Sequence, residues 1–184
     1  RHQPLAPLPA RAGTVADPLT LLRRLPAVPS KRPLIALRMA HAAGHPALQA
    51  AVPRLAVGHG TQARLSQLAA QAYAGSGNFT VLHMVTASHA MRLLLPGLGA
   101  GEAADAALRW FWQAWATALV AACVKPRPPV PLLPWPVIVQ RALASTDVHV
   151  IKLVDACREE DAAHGASHHG NAWQQAASRA VTPA

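Results

Sequence analysis

AGEAADAALRWFWQAWATALVAACV, residues 100–124, carries its acids early and its bulk late. Glu102 and Asp105 sit where the first turn of a helix presents the positive end of its dipole, which carboxylates complement. The second half is dense in alanine, tryptophan, leucine and valine, the composition of a helix packed on other helices. Its apolar run WFWQAWATALVAACV is 15 residues long, short of the roughly 18 to 20 that span a bilayer. A buried helix of a globular body follows.

The surrounding chain agrees with that reading. At 184 residues it is long enough for one domain with a real core, and with 52% hydrophobic and 14% charged residues it should fold. Alanine dominates, and valine, isoleucine and threonine rarely alternate, so helices packed through small residues are expected and sheets are not. The net charge of +9 invites a nucleic-acid or anionic-membrane reading. The basic residues are scattered, however, from Arg23 and Arg24 through Lys31, Arg32, Arg54, Arg64 and Arg92 to Lys125 and Arg127, with no interleaved aromatics. Neither nucleic acid nor membrane is expected as a partner. Cys123 and Cys157 form neither a secreted disulfide framework nor a CxxC knuckle, and no signal peptide opens the sequence, so buried thiols in a cytoplasmic protein are expected.

Residues 1–33 are proline-rich and predict an extended arm, with TLLRRL near 20–25 as a short helix at most. Residues 34–184 predict a single helical domain. LIALRMAHAA breaks at Gly44, and ALQAAVPRLAVGHG resumes with a kink or restart at Pro53. TQARLSQLAAQAYA starts at Thr61 and stops before Gly75 and Gly77. Asn78 can cap the next helix, which Pro96 and Gly97 end. KPRPPVPLLPWP, residues 125–136, is too rigid for helix and too apolar for a solvated linker, and reads as a connector packed on the surface. VIVQRALA is a short helix, Ser145 or Thr146 caps a helix running to about Asp161, and AWQQAASRAV closes the chain. The fold class is all-α, an irregular multi-helix bundle with a Pro-rich connector and an extended amino-terminal arm.

Chemistry concentrates in two segments. PGLGAGEAADAAL has spaced glycines before a helix but no preceding strand, so it is no dinucleotide fingerprint, and no NADPH-binding motif is found elsewhere. Ser66, Ser88 and Ser145 lack a GxSxG elbow, and His164, His168 and His169 fall in a Gly-rich turn. NFTVLHMVTASHAMRLLLP, residues 78–96, and ASTDVHVIKLVDACREE, residues 144–160, instead place His83, His89, His149 and Lys152 within apolar runs. At about 100° per residue His83 and His89 lie about 120° apart on their helix, so they cannot grip one ion as an i, i+4 pair would. His149 and Lys152, three apart, share a face. Neutral imidazole is a common metal ligand, whereas a protonated lysine repels a cation. An ion pair of Lys152 with Asp147 or Asp155 and a metal site remain alternatives on these grounds.

The order and spacing of the two segments resemble the questin oxidase family, whose members have a similar His-x-Val-Thr-x-x-His-Ala-x-Arg segment and a similar Asp-x-His-x-Ile-Lys segment ahead of an acidic helix. The resemblance spans about Leu65 to Glu160. It implies a helical oxidoreductase, an oxygenase of aromatic polyketides that uses O2, with ring opening of anthraquinones in fungal members. Two cofactor descriptions follow from it. One is a non-haem iron ligated by histidines and an N-carboxylated lysine, which makes Lys152 the modified lysine, His149 and His83 ligands, and His89 a ligand or an outer donor. The other is an NADPH-dependent Baeyer–Villiger enzyme. Trp110, Trp112 and Trp115 are expected to help line the pocket. Family chains are about twice as long and carry an Asn-His-x-Pro-Met-like segment that this sequence lacks. The chain therefore reads as the carboxy-terminal part of a larger fold, as a shortened homologue or homo-oligomer, or as a non-catalytic helical module of the same descent.

Overall fold

The computed structural model describes residues 13–164 and 170–182. Among them are nine α-helices and no strand: α1 (Pro18–Leu22), α2 (Ile35–Ala43), α3 (Pro46–Ala51), α4 (Thr61–Ala74), α5 (Phe79–Leu94), α6 (Glu102–Ala122), α7 (Trp135–Leu143), α8 (Val148–His164) and α9 (Ala172–Ala180). Short 3-10 turns follow α3 and α5, at Val52–Arg54 and Leu95–Leu98. The all-α expectation is met, and no helix is long and apolar enough to cross a membrane among the described residues. Packing divides the chain into two compact units. The first is the described part of Arg1–Leu65 with Met91–Cys123, the second the described part of Ser66–Ala90 with Val124–Ala184.

In the first unit α6 packs along α2. Leu108, Trp112, Trp115, Ala116 and Val120 recur at intervals of three and four and form its buried stripe. Trp112 and Trp115, one turn apart, stack with ring centres 6.3 Å apart, and the Trp112 indole N–H donates to the Val52 carbonyl at 3.0 Å. The pocket-lining role expected of these tryptophans is therefore corrected. Trp112 and Trp115 are core residues at 1% and 3% exposure, while Trp110 faces outward at 44%.

The expected arm is bound along residues 13–33, and α1 is its one short helix. Asp17 caps α1 by accepting the Leu19 N–H and pairs with Arg64 at 3.1 Å. Leu21 is buried, and the Val28 N–H reaches the Val120 carbonyl at 3.1 Å. Upstream, Thr14 and Val15 both donate to the Arg54 carbonyl. Gly13 lies so close there that a Cβ would meet the backbone of Arg54 and Leu55. Residues 1–12 fall outside the described ones.

In the second unit α8 packs on α9, and α7 on both. The α4 helix ends where Gly77, at φ +60°, lets its N–H turn back to the Tyr73 carbonyl at 2.7 Å. Asn78 then caps α5, its Oδ1 accepting the Thr80 and Val81 N–H groups at 2.9 and 3.2 Å. The connector through 125–134 has few N–H groups to offer because of its prolines, so its order comes from its carbonyls. Gln174 and Gln175 on α9 donate to Leu133 and Val130, each at 2.8 Å, and Arg179 donates to Pro128. In the reverse direction the Leu133 N–H donates to Ser178 Oγ at 3.0 Å. The connector is thus held against α9, as its composition suggested.

Two helix boundaries differ from expectation. The α7 helix starts at Trp135, inside the Pro-rich run, because Pro136 stands in the first turn, where its missing N–H costs nothing. The cap of α8 is Asp147, whose Oδ1 accepts the His149 N–H at 2.9 Å; Ser145 instead supports Asp147 by accepting its N–H.

Candidate functional site

Asn78 and Asp147 start α5 and α8 in the second unit; His83 stands one turn past the first residue of α5 and His149 is the second residue of α8. The rings of these histidines have centres 5.7 Å apart, and Phe79 meets both edge-on, at 4.6 Å from His83 and 5.0 Å from His149. Quadrupoles favour such edge contacts. Each imidazole is also oriented by a second bond. His83 Nδ1 lies 2.9 Å from the Phe79 carbonyl, and His149 Nδ1 lies 2.9 Å from the Asp147 carboxylate. Carbonyl and carboxylate oxygens only accept, so both Nδ1 atoms donate, which in a neutral imidazole leaves the lone pair on Nε2. The His149 backbone N–H first, and its ring second, hold the Asp147 carboxyl below its usual value.

This pair sits at a surface. His83 and Lys152 are exposed, the His149 side chain is 39% exposed, and Phe79, Val148 and Ile151 present apolar area beside them. The apolar run around Lys152 does not bury it. The face of α8 that packs inward is Leu153, Val154, Ala156, Cys157 and Glu160, and Lys152 lies off it. Asp147 pairs with His149, where an ion pair with Lys152 was one of the alternatives.

His89 turns elsewhere, as its 120° offset from His83 requires. Its Nδ1 lies 3.2 Å from Oε1 of Glu160, a residue with no exposure. Among the described residues no three His, Cys, Asp or Glu side chains gather closely enough to hold a metal ion. The structure thus brings together His83 and His149, with Lys152 one turn along, and gives His89 a different partner. His164 belongs to α8, whereas His168 and His169 lie outside the described residues. In the first unit the His45 ring caps α3 by accepting the Ala47 N–H at 3.2 Å.

Sequence reasoning missed Phe79 and Glu160. The signal for Glu160 was present: Leu153, Ala156, Cys157 and Glu160 keep the three-four spacing of a buried stripe, so a carboxylate falls on the core face. A groove of about 340 Å³ in the second unit is lined by Gln71, Ala74, Asn171, Ala172 and Gln175, and the histidine pair is not part of it.

A protein-family model described as Questin oxidase-like matches residues 59–157, just over half of the chain. That stretch contains His83, His89, His149 and Lys152 and stops short of Glu160. Neither the curated proteins nor the solved structures contain a match to the chain.

Proposed function

The chain belongs to the questin oxidase-like family, which suggests an oxidoreductase, and from that premise we propose that it is an oxygenase of aromatic, polyketide-like substrates whose non-haem iron is held by His83, His149 and N-carboxylated Lys152. The observation that carries this reading is the His83–His149 pair, with ring centres 5.7 Å apart and both Nδ1 atoms engaged. Two imidazoles sharing an ion at about 2 Å from each nitrogen need ring centres separated on this scale. Metal-ligating histidines commonly donate the other ring N–H to a carbonyl or carboxylate, and Phe79 and Asp147 supply one of each. The residues fit iron in kind. An exposed Lys152 amine is open to carboxylation, which would exchange a repelling cation for an anionic oxygen donor.

Iron, when bound, supplies the activation of O2. The rest falls to the chain. Asp147 fixes the His149 tautomer and balances part of the metal's charge. Phe79, edge-on to both imidazoles, offers with Val148 and Ile151 an apolar surface on which a flat aromatic ring can lie.

Iron content of anaerobically purified protein, read beside O2 uptake with a hydroxylated anthraquinone, tests the reading. Stoichiometric iron that is lost in His149→Ala, and uptake that falls in Lys152→Ala, are expected. Uptake that requires NADPH and survives iron chelation would favour the Baeyer–Villiger alternative. Protein that binds no iron and consumes no O2 would be an interaction module.

A further inference from the structure

Along the sequence the basic residues look scattered, but the fold sorts them. The described part of the first unit holds nine lysines and arginines against three acids, that of the second unit six against five. No aspartate or glutamate occurs between Asp17 and Glu102, and Asp17 is itself paired with Arg64. Most of the excess positive charge therefore belongs to the first unit, where it acts on a charged partner as a local field.

Its densest stretch is the bound arm and the helix that follows. Arg23, Arg24, Lys31 and Arg32 all stand exposed within ten residues. Leu34, the residue before α2, is 61% exposed, and Leu37 is 39% exposed. At about 100° per residue Leu37, Ala40 and His41 share one side of α2, and all three are exposed. Ala42, across the helix, is fully buried, and α2 packs on α6. The arm is fixed as well: Leu21 is buried, and the Val28 N–H is held by the Val120 carbonyl. Lys31, Arg32, Leu34 and Leu37 are thus presented together by ordered backbone, so a partner meets them without first ordering the chain.

Single exposed leucines are ordinary. Two that follow a run of four cations, with no acid near them in the sequence, narrow the choice of partner. A nucleic-acid backbone would engage the cations and leave both leucines idle. Protein partners are anchored chiefly by tryptophan, tyrosine and arginine, and leucine is under-represented at such anchors; residues 23–44 contain no phenylalanine, tryptophan or tyrosine. A leaflet of anionic lipid uses both features, drawing cations to its headgroups and aliphatic side chains to the boundary of its acyl chains. We propose that the arm and the outward side of α2 form a docking surface for an anionic lipid leaflet, with Lys31 and Arg32 at the headgroups and Leu34 and Leu37 at the acyl boundary. Arg23 and Arg24, on the same arm, add to the attraction. Attachment of this kind is peripheral and reversible, and it does not rest on the oxygenase reading.

The test is flotation of the full chain with vesicles of phosphatidylcholine alone, or with about one third phosphatidylserine. Binding is expected to the phosphatidylserine vesicles, weaker binding to the neutral ones, and release at about 1 M salt, where charges are screened within about 3 Å. Each cation beside an anionic leaflet strengthens binding about fivefold, so Lys31→Gln with Arg32→Gln should weaken it about twenty-fivefold. Leu34→Gln with Leu37→Gln should weaken it about tenfold or more. All four side chains are exposed, so the helical circular dichroism of both variants should match that of the unaltered chain. Arg141→Gln with Arg158→Gln, two exposed cations of the second unit, should leave binding unchanged. An equal loss in that control would make the attraction a property of net charge and overturn the proposal. Failure to float with phosphatidylserine overturns it outright. Vesicle binding indifferent to the leucine changes, or displacement of the vesicles by duplex DNA, would assign the surface to nucleic acid and overturn it. Self-association that the leucine changes abolish would assign the surface to a second copy of the chain, with the same consequence.

Discussion

Removing the indole N–H of Trp173 while keeping most of its bulk, by Trp173→Phe, isolates one bond of the buried network around Glu160. Trp173 and Ser66 both have no exposure, and the bond between them is 3.0 Å long. A neutral hydrogen bond of this kind contributes about 0.5–1.5 kcal/mol net. The smaller ring also leaves a void and forfeits contacts, which raises the expected cost of Trp173→Phe to about 2–3 kcal/mol. Ser66→Ala removes the hydroxyl that donates to the Glu160 carboxylate at 2.7 Å, and bonds to charged groups contribute about 1.5–3 kcal/mol. The two changes meet at one oxygen, so their effects should not add. A double-mutant cycle measured by urea unfolding, followed by helical circular dichroism, should give a coupling of about 0.5–1.5 kcal/mol. Coupling below about 0.3 kcal/mol, the usual scatter for independent sites, would show that the indole does not lock the Ser66 hydroxyl.

Three further outcomes follow from other parts of the fold. Tyr73, the one tyrosine of the chain, has its pKa pushed up to about 12 by burial first and the neighbouring Cys157 next. Its folded value exceeds the unfolded one, so its contribution to stability is complete below pH ~10 and lost as pH rises through the folded value. Ultraviolet titration should show no tyrosinate near pH 10.5, the pH scale on which an unburied tyrosine already ionises. Burial also raises the Cys157 thiol well above its ordinary range, whereas Cys123 is partly exposed. An aromatic disulfide reagent should therefore label Cys123 in the native protein and Cys157 only on unfolding; equal labelling rates would contradict the packing of α8. Asn78→Ala should cost about 1 kcal/mol by loss of the α5 cap, read as a lower thermal midpoint. Asn78→Asp should recover most of it.

The helices were legible because their signals are local. Asn78, Gly44, Pro53 and Pro96 act on the backbone next to them, and the stripe of α6 has the period of its own helix. The histidine pair was half legible. Spacing along α5 showed that His83 and His89 face different ways, but the approach of His149 to His83 depends on how α5 and α8 pack, which no local pattern states. Lys152 falls within an apolar run of the sequence, but its neighbours Val148 and Ile151 are exposed on α8. The helix buries Leu153, Val154, Ala156 and Cys157, where the small Ala156 and Cys157 let α9 approach. Glu160 was overlooked for a related reason: an acid near the end of a helix looks solvated unless its register with that stripe is counted. The Trp173–Ser66 bond joins residues 107 apart and had no local sign at all.

Gly13 shows a different kind of dependence on sequence. Its place against Arg54 and Leu55 leaves no room for a first side-chain atom. Size, charge and polarity are therefore irrelevant to what it will accept. In a library of all substitutions at this position, every alternative should fail together, alanine with arginine. Gly58 and Gly97, where a Cβ would stand in open space, set the contrast within the same chain. The attachment of the amino-terminal segment to the first unit is thus guarded at Gly13 by a missing atom, and tolerance maps would record it as an all-or-nothing position.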